Sequence, residues 1–187
     1  MRVYRIFIHS PSAAPTEPGG VLFVPPHQDL TRIGNPKRYQ TLYVGDSQAG
    51  VCAEVFNVGK YRLRWSSEML RGRPDMPDSF HAIAEYEIDG SALICNLDDP
   101  KQLVAQSLRP SQIVTRDYLQ SQAWALALFD TKRWCGASWW SYHDPRWVSM
   151  GLWSLDAIRS KRLERLTILH PALAEAASVL KIDLHHV

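Results

Sequence analysis

RIGNPKRYQTLYVGDSQAGVCAEVF, residues 32–56, writes a turn, a strand and a helix in one unbroken stretch. Gly34 and Asn35-Pro36 are turn signals, so the first part is a loop. TLYV, 41–44, is a short apolar run that reads as a buried strand. Asp46 or Ser47 can then accept from the first free backbone N–H groups of a helix running to about Phe56. Arg32, Tyr43 and Glu54 recur at equal intervals, one in each of the three elements.

Each of the three has a plain structural use and a chemical one. Arg32 is either a solvated loop arginine or a planar fork for phosphate or pyrophosphate. Tyr43 is either a core tyrosine or a wall on which an aromatic ligand stacks. On a helix turning ~100° per residue, Val51, Val55 and Val58 form one stripe, and Glu54 falls at its edge. A carboxylate there is partly buried, so it must be paired, protonated or used. The structural use is a rim glutamate paired with a nearby arginine.

Outward from this stretch the chain alternates strands and helices without a regular βαβ repeat, which points to the α+β class. VYRIFI (3–8) reads as a strand, SPSAAPTEPGG (10–20) as a loop, and VLFV (21–24) as a short strand ended by Pro25 and Pro26. KYRLRW (60–65) reads as an exposed strand or hairpin arm, and RGRPDMPD (71–78) as a loop. FHAIAEYEI (80–88) and ALICNL (92–97) read as a hairpin across Asp89-Gly90. Helices are expected over 100–107, 117–130 and 171–182, the last with Pro171 in its first turn. CGASWWSY (135–142) and WVSMGLW (147–153) read as a second hairpin around His143-Asp144-Pro145. A single domain over 1–187 is the expectation for this length.

Composition narrows the function classes. The chain is 45 % hydrophobic, which excludes a disordered protein. Its formal charge is +2 with scattered basic residues, so nothing points to nucleic acid. RSKRLER (159–165) reads as the solvated face of a helix. Cys52, Cys95 and Cys135 are too far apart for a Cys-x-x-Cys site, which favours a reducing, cytoplasmic setting. MRVYRIFIHS is too short and too polar for a signal peptide, and no apolar window is long enough to span a membrane. His185-His186 lack a ligand spacing, so no metal is expected. Seven tryptophans and seven tyrosines suit a core, and also a cleft that stacks a planar ligand.

The arrangement of RIGNP, TLYVG and AGVCAEVF resembles the RES domain family, named for Arg, Glu and Ser. A second match comes later in the chain. SQAWALALFDTKRWCGASWWSYHD (121–144) resembles the family's Gln-x-Trp-Ala helix and the Gly-x-x-x-x-Ser strand that follows, which puts Ser141 at the family serine. ILHPALAEAASVLKIDL resembles the closing helix, so the likeness covers nearly the whole chain. Two departures stand out. Many members read Gly-Gly-Arg-Trp-Asn before the strand. Aligning Asn35 there leaves Arg32 one residue early, with Arg38 as the alternative arginine. Tyr142-His143-Asp144 also follow the serine where an arginine is common.

The resemblance implies an ADP-ribosyltransferase-like fold, a split mixed sheet flanked by helices around an NAD cleft. It implies a toxin that breaks the nicotinamide–ribose bond of NAD by hydrolysis or phosphorolysis, held in check by a separate Xre-type antitoxin. Glu54 would stabilise the oxocarbenium-like ribose. Arg32 would hold the pyrophosphate, Tyr43 would stack against or bond beside the nicotinamide ribose, and Ser141 would bond the nicotinamide riboside end. No Gly-x-Gly-x-x-Gly follows a strand, so NAD would be the substrate and not a hydride carrier. Two other readings stay open: an ADP-ribosyltransferase acting on a protein, and a binding module that has lost catalysis.

Overall fold

A computed structural model describes residues 1–57 and 63–185. The chain runs β1 (Arg2–His9), β2 (Leu42–Gly45), α1 (Gln48–Phe56), β3 (Arg64–Trp65), a 3₁₀ turn (Ser67–Leu70), β4 (Phe80–Ile88) and β5 (Ile94–Asn96). It continues through α2 (Pro100–Ala105), α3 (Pro110–Ile113), α4 (Tyr118–Asp130), β6 (Gly136–Trp140), β7 (Val148–Leu152), β8 (Ile158–Arg165), α5 (Pro171–Leu180) and β9 (Asp183–Leu184). Seven strands form one mixed, mostly antiparallel sheet in the order β5-β6-β7-β2-β1-β4-β8. The class is α+β, as the sequence implies.

Strand alternation sorts the sheet's two faces. One buries Ile6, Ile83, Ala137 and Trp139 against the helices. The other buries Val3, Val44, Tyr86 and Met150 beneath the segment carrying Val21, Leu22 and Val24. The sheet is divided near its middle. β1 and β4 pair along their whole lengths, whereas β1 and β2 share the single register pair Tyr4↔Gly45. Beyond that pair the two strands part and leave a gap that α1 and the 27–41 loop border.

Ser47, and not Asp46, caps α1: its hydroxyl accepts from Gly50 N at 3.2 Å. Asp46 instead takes the backbone N–H of Val148 at 2.9 Å, tying the helix start to β7. The buried face of α1 is Ala49, Cys52, Ala53 and Phe56 with Val51, because α5 packs across the helix from the sheet. Val55 points outward, so the valine stripe is not the buried one. Val58 lies outside the described residues.

Four local expectations are corrected. VLFV forms no strand: Phe23 N and Leu22 N bond back to Gly20 and Pro15 carbonyls in turns, and the apolar side chains cover the sheet from outside. RSKRLER is an exposed edge strand paired with β4 and not a helix. Its charges, such as Lys161 on Glu87 at 2.7 Å, keep that edge solvated. The turn at Asp89-Gly90 exists, with Asp89 Oδ1 accepting from Ser91, but β4 and β5 do not pair. β5 crosses to the far edge and runs parallel to β6, because Cys95 and Leu97 fill the core beneath α4. Of KYRLRW, residues 60–62 lie outside the described residues. Arg64–Trp65 pairs in parallel with β9, so it is not a hairpin arm; Arg64 is exposed as expected, and Trp65 is fully buried.

Candidate active site

The gap between β1 and β2 opens into a cleft of about 470 Å³, which suits a small-molecule ligand. Arg32, Tyr43, Glu54 and Ser141 all line it. Arg38 does not: its guanidinium pairs with Asp130 at 2.6 Å on an exposed face. Of the two arginines, Arg32 is the one at the cleft.

Helix α4 sets the arginine loop. Gln122 donates to the Asp29 and Thr31 carbonyls at 2.7 and 2.9 Å, and buried Ser121 donates to Arg32 O at 2.6 Å. The Arg32 side chain is held by one nitrogen, Nη1, which donates to the Ile113 and Thr115 carbonyls at 2.9 and 2.8 Å. No partner is found among the described residues for its other donors, so a guanidinium edge remains for an anion. The Tyr118 ring lies 5.8 Å from its Cζ.

Tyr43 is committed to the same loop. Its hydroxyl donates to Thr31 Oγ1 at 2.9 Å and accepts from Ile33 N at 3.1 Å. Burial raises its pKa, so the phenol stays protonated at neutral pH. What Tyr43 offers the cleft is therefore its ring.

Glu54 stands at the cleft wall with 41 % of its side chain exposed. Among the described residues it meets no arginine. Ser141 Oγ donates to Glu54 Oε1 at 2.6 Å and Ser149 Oγ to the same oxygen at 3.2 Å. Ser141 is 2 % exposed, and its oxygen accepts from His143 N at 3.1 Å. The other carboxylate oxygen, Oε2, lies 3.8 Å from His143 Nε2. Asn57 donates to His143 Nδ1 at 3.2 Å, which leaves the ring proton on Nε2, facing the carboxylate. Glu54 is thus pre-aimed: two hydroxyls fix one oxygen and an imidazole flanks the other. The Ser141 proton is directed to Glu54.

Ser149 and His143 escaped the sequence reading as site residues. Alternation along WVSMGLW does put Ser149 and Gly151 on one face of β7, the face that meets Tyr43 and Glu54. The His143 position follows from the turn between β6 and β7. That turn is closed by Asp144, which accepts from Arg146 N at 2.9 Å and pairs with its guanidinium at 2.6 Å. The Arg146 side-chain and backbone donors hold the Asp144 carboxyl down to about 2, against 3.8 ordinarily. A depressed carboxyl stabilises the fold above its ordinary value, and that contribution fades as pH falls through the lowered one. Acid titration followed by tryptophan fluorescence should show the turn loosening between those two values. Asp144→Asn should remove that component; an unchanged titration in the variant would refute the assignment.

Among the described residues, no helix is long and apolar enough to cross a membrane. No family model matches the chain, and no curated protein matches it. Among solved structures, it is similar to a chain of the MbcT–MbcA toxin–antitoxin complex from M. tuberculosis, at 13 % identity and a TM-score of 0.65. The match covers 96 % of this chain and 88 % of that one, so the two share a fold along almost their full lengths.

Proposed function

We propose that the chain is an NAD-cleaving enzyme that breaks the nicotinamide–ribose bond and serves as the toxin of a toxin–antitoxin pair. The observation that carries this reading is the carboxylate of Glu54, aimed into the cleft by Ser141 and Ser149 and accompanied there by Arg32 and Tyr43. As the bond breaks, its electron pair leaves with neutral nicotinamide and the ribose carbon takes on positive charge. Glu54 stabilises that charge because it is already oriented when the charge appears. An acceptor oxygen then bonds to the carbon: that of water, which passes its proton to solvent, or an anionic oxygen of phosphate, which has none to lose. Arg32 holds a phosphate with the edge that Ile113 and Thr115 leave over. The Tyr43 ring walls the ribose end.

The toxin role is supported by the shared fold with the toxin–antitoxin complex. A separate antitoxin is the partner this implies, and Leu30 and Tyr142 at the cleft, 88 % and 61 % exposed, offer it an apolar rim. The test is nicotinamide release from NAD by the purified protein, with and without phosphate. Release would support the reading, and a phosphate effect would separate phosphorolysis from hydrolysis. A folded protein that releases none would overturn it.

Within this reading Arg32→Gln should raise KM for NAD by ~10–100-fold, the worth of one charged hydrogen-bonding contact, with a smaller effect on kcat. Arg38→Gln should leave both unchanged. Steady-state kinetics decide, and equal effects at the two positions would dismiss the role of Arg32.

A further inference from the structure

The last turn of α1 holds the imidazole of His143 on two sides. Glu54 and Asn57 stand three residues apart at the end of that helix, so their side chains leave it as neighbours. Glu54 Oε2 lies 3.8 Å from His143 Nε2, and Asn57 Nδ2 donates to His143 Nδ1 at 3.2 Å. Asn57 is itself fixed: it ends the helix, and its N–H donates to Ala53 O at 3.0 Å. The ring is also fixed by its own segment. The His143 N–H donates to Ser141 Oγ at 3.1 Å, and the Tyr142 ring meets the imidazole edge to face with centroids 5.6 Å apart. The His143 side chain is 12 % exposed, and neither it nor Asn57 is among the described residues that line the cleft. Of the lining residues, Glu54 is the one that the ring nitrogens face.

The chemistry turns on the residue type at 57. An amide nitrogen can only donate, so it needs a lone pair on Nδ1, and the neutral ring then keeps its proton on Nε2. That proton faces Glu54 Oε2, the oxygen that the Ser141 and Ser149 hydroxyls leave over. An aspartate at 57 could only accept. It would draw the proton to Nδ1 and turn the Nε2 lone pair toward the carboxylate, setting two acceptors face to face. The 3.8 Å separation is longer than a hydrogen bond, and substrate binding often tightens contacts of this kind.

We propose that Asn57 and His143 are positioning residues for Glu54. Asn57 locks His143 in the tautomer protonated on Nε2. That proton holds Oε2, so both carboxylate oxygens are fixed when positive charge develops on the ribose. The catalytic consequence rests on the NAD reading, and the tautomer does not.

The test joins nitrogen-15 NMR of the ring to kinetics on wild type, Asn57→Asp, His143→Asn and His143→Gln. At mildly alkaline pH the wild-type ring should show a protonated Nε2 and a bare Nδ1, and Asn57→Asp should reverse them. Asn57→Asp and His143→Asn should lose ~10–100-fold in kcat for nicotinamide release, the worth of a hydrogen bond to a charged group. KM for NAD and affinity for ADP-ribose should stay within about two-fold of wild type, since neither residue touches the ligand. His143→Gln should recover most of the loss, because its amide nitrogen stands where Nε2 does, whereas that of asparagine stands at Nδ1. A wild-type ring protonated on Nδ1 would overturn the lock. Unchanged kcat in Asn57→Asp and His143→Asn would overturn the positioning role. So would equal losses in His143→Asn and His143→Gln, which would assign the ring to packing. The Glu54 carboxyl carbon, followed by carbon-13 NMR, gives a readout without turnover: its signal should move in His143→Asn and not in His143→Gln. If wild type releases no nicotinamide while the ring and carboxyl signals behave as expected, the positioning stands and the NAD reading fails. If those signals do not respond either, the positioning fails as well.

Discussion

Glu54→Gln should lower nicotinamide release from NAD by ~10²–10³-fold or more, the loss typical of removing a preorganised electrostatic contact to a developing charge. Glutamine keeps the size of the side chain and keeps an oxygen to accept from Ser141 and Ser149. In the NAD reading it removes the negative charge that the ribose carbon needs as neutral nicotinamide departs. Because Glu54 is substantially exposed and packs against no core group, the melting temperature should stay close to wild type, within ~0.5 kcal/mol of stability. The variant should still bind ADP-ribose, since its phosphates are held elsewhere. Turnover at the wild-type rate with a normal melting curve would remove Glu54 from the mechanism. Ser141→Ala should fall between the two: the carboxylate stays but loses its closest hydrogen bond.

Gly151→Ala should show the second large effect, and it should couple stability to activity. Gly151 sits on β7 opposite Tyr43 on one side and Ala137 on the other. A Cβ there would press into Ile33 Cδ1 and would stand 2.8 Å from Thr41 Cγ2. Both neighbours are fully buried and belong to the loop and strand entry that set the cleft. Overpacking of this kind costs ~1–3 kcal/mol. For a chain of this length that is a fall of very roughly 2–12 °C in melting temperature. Ile33 must move, and Arg32 is its neighbour in sequence, so KM for NAD should rise along with the loss of stability. Gly90→Ala is the control: nothing lies within 4 Å of a Cβ at that position, and it should be near neutral. Differential scanning calorimetry and steady-state kinetics on the same preparations separate the cases. A stable Gly151→Ala with unchanged KM would show that the Ile33 contact does not govern the cleft.

The parts of the molecule that were legible in the sequence are those set by local chemistry. The strand–helix junction at 41–56 follows from an apolar run and a capping serine, and the β6–β7 hairpin from its Asp-Pro turn. What could not be read locally is pairing at a distance. The Asp89-Gly90 signal is a real turn, but a turn names only its own geometry, and the partner of β5 is chosen by the core beneath α4. RSKRLER shows the same limit: charged residues between apolar ones fit a helix face or an edge strand until β4 supplies the ladder. In the site, Arg32 and Arg38 were indistinguishable by residue type, and the Ile113 and Thr115 carbonyls separate them. The meeting of Glu54 and Ser141 came from family resemblance, since no spacing in the chain implies it. Arg5 did carry a signal, being the one cation within the apolar run VYRIFI. Its meaning depends on the gap beside it, which only the sheet order creates.

The register that sets Leu42 against Leu152 has a consequence for synthesis. Glu54 and the Ser149 that helps aim it are 95 positions apart. At ~5–20 residues per second, roughly 5–20 s pass on the ribosome between the two. During that interval the nascent chain carries the carboxylate without the hydroxyls that orient it, and β2 has no β7 to lie against. The oriented carboxylate therefore forms only after both strands have been made, set by long-range closure of the sheet.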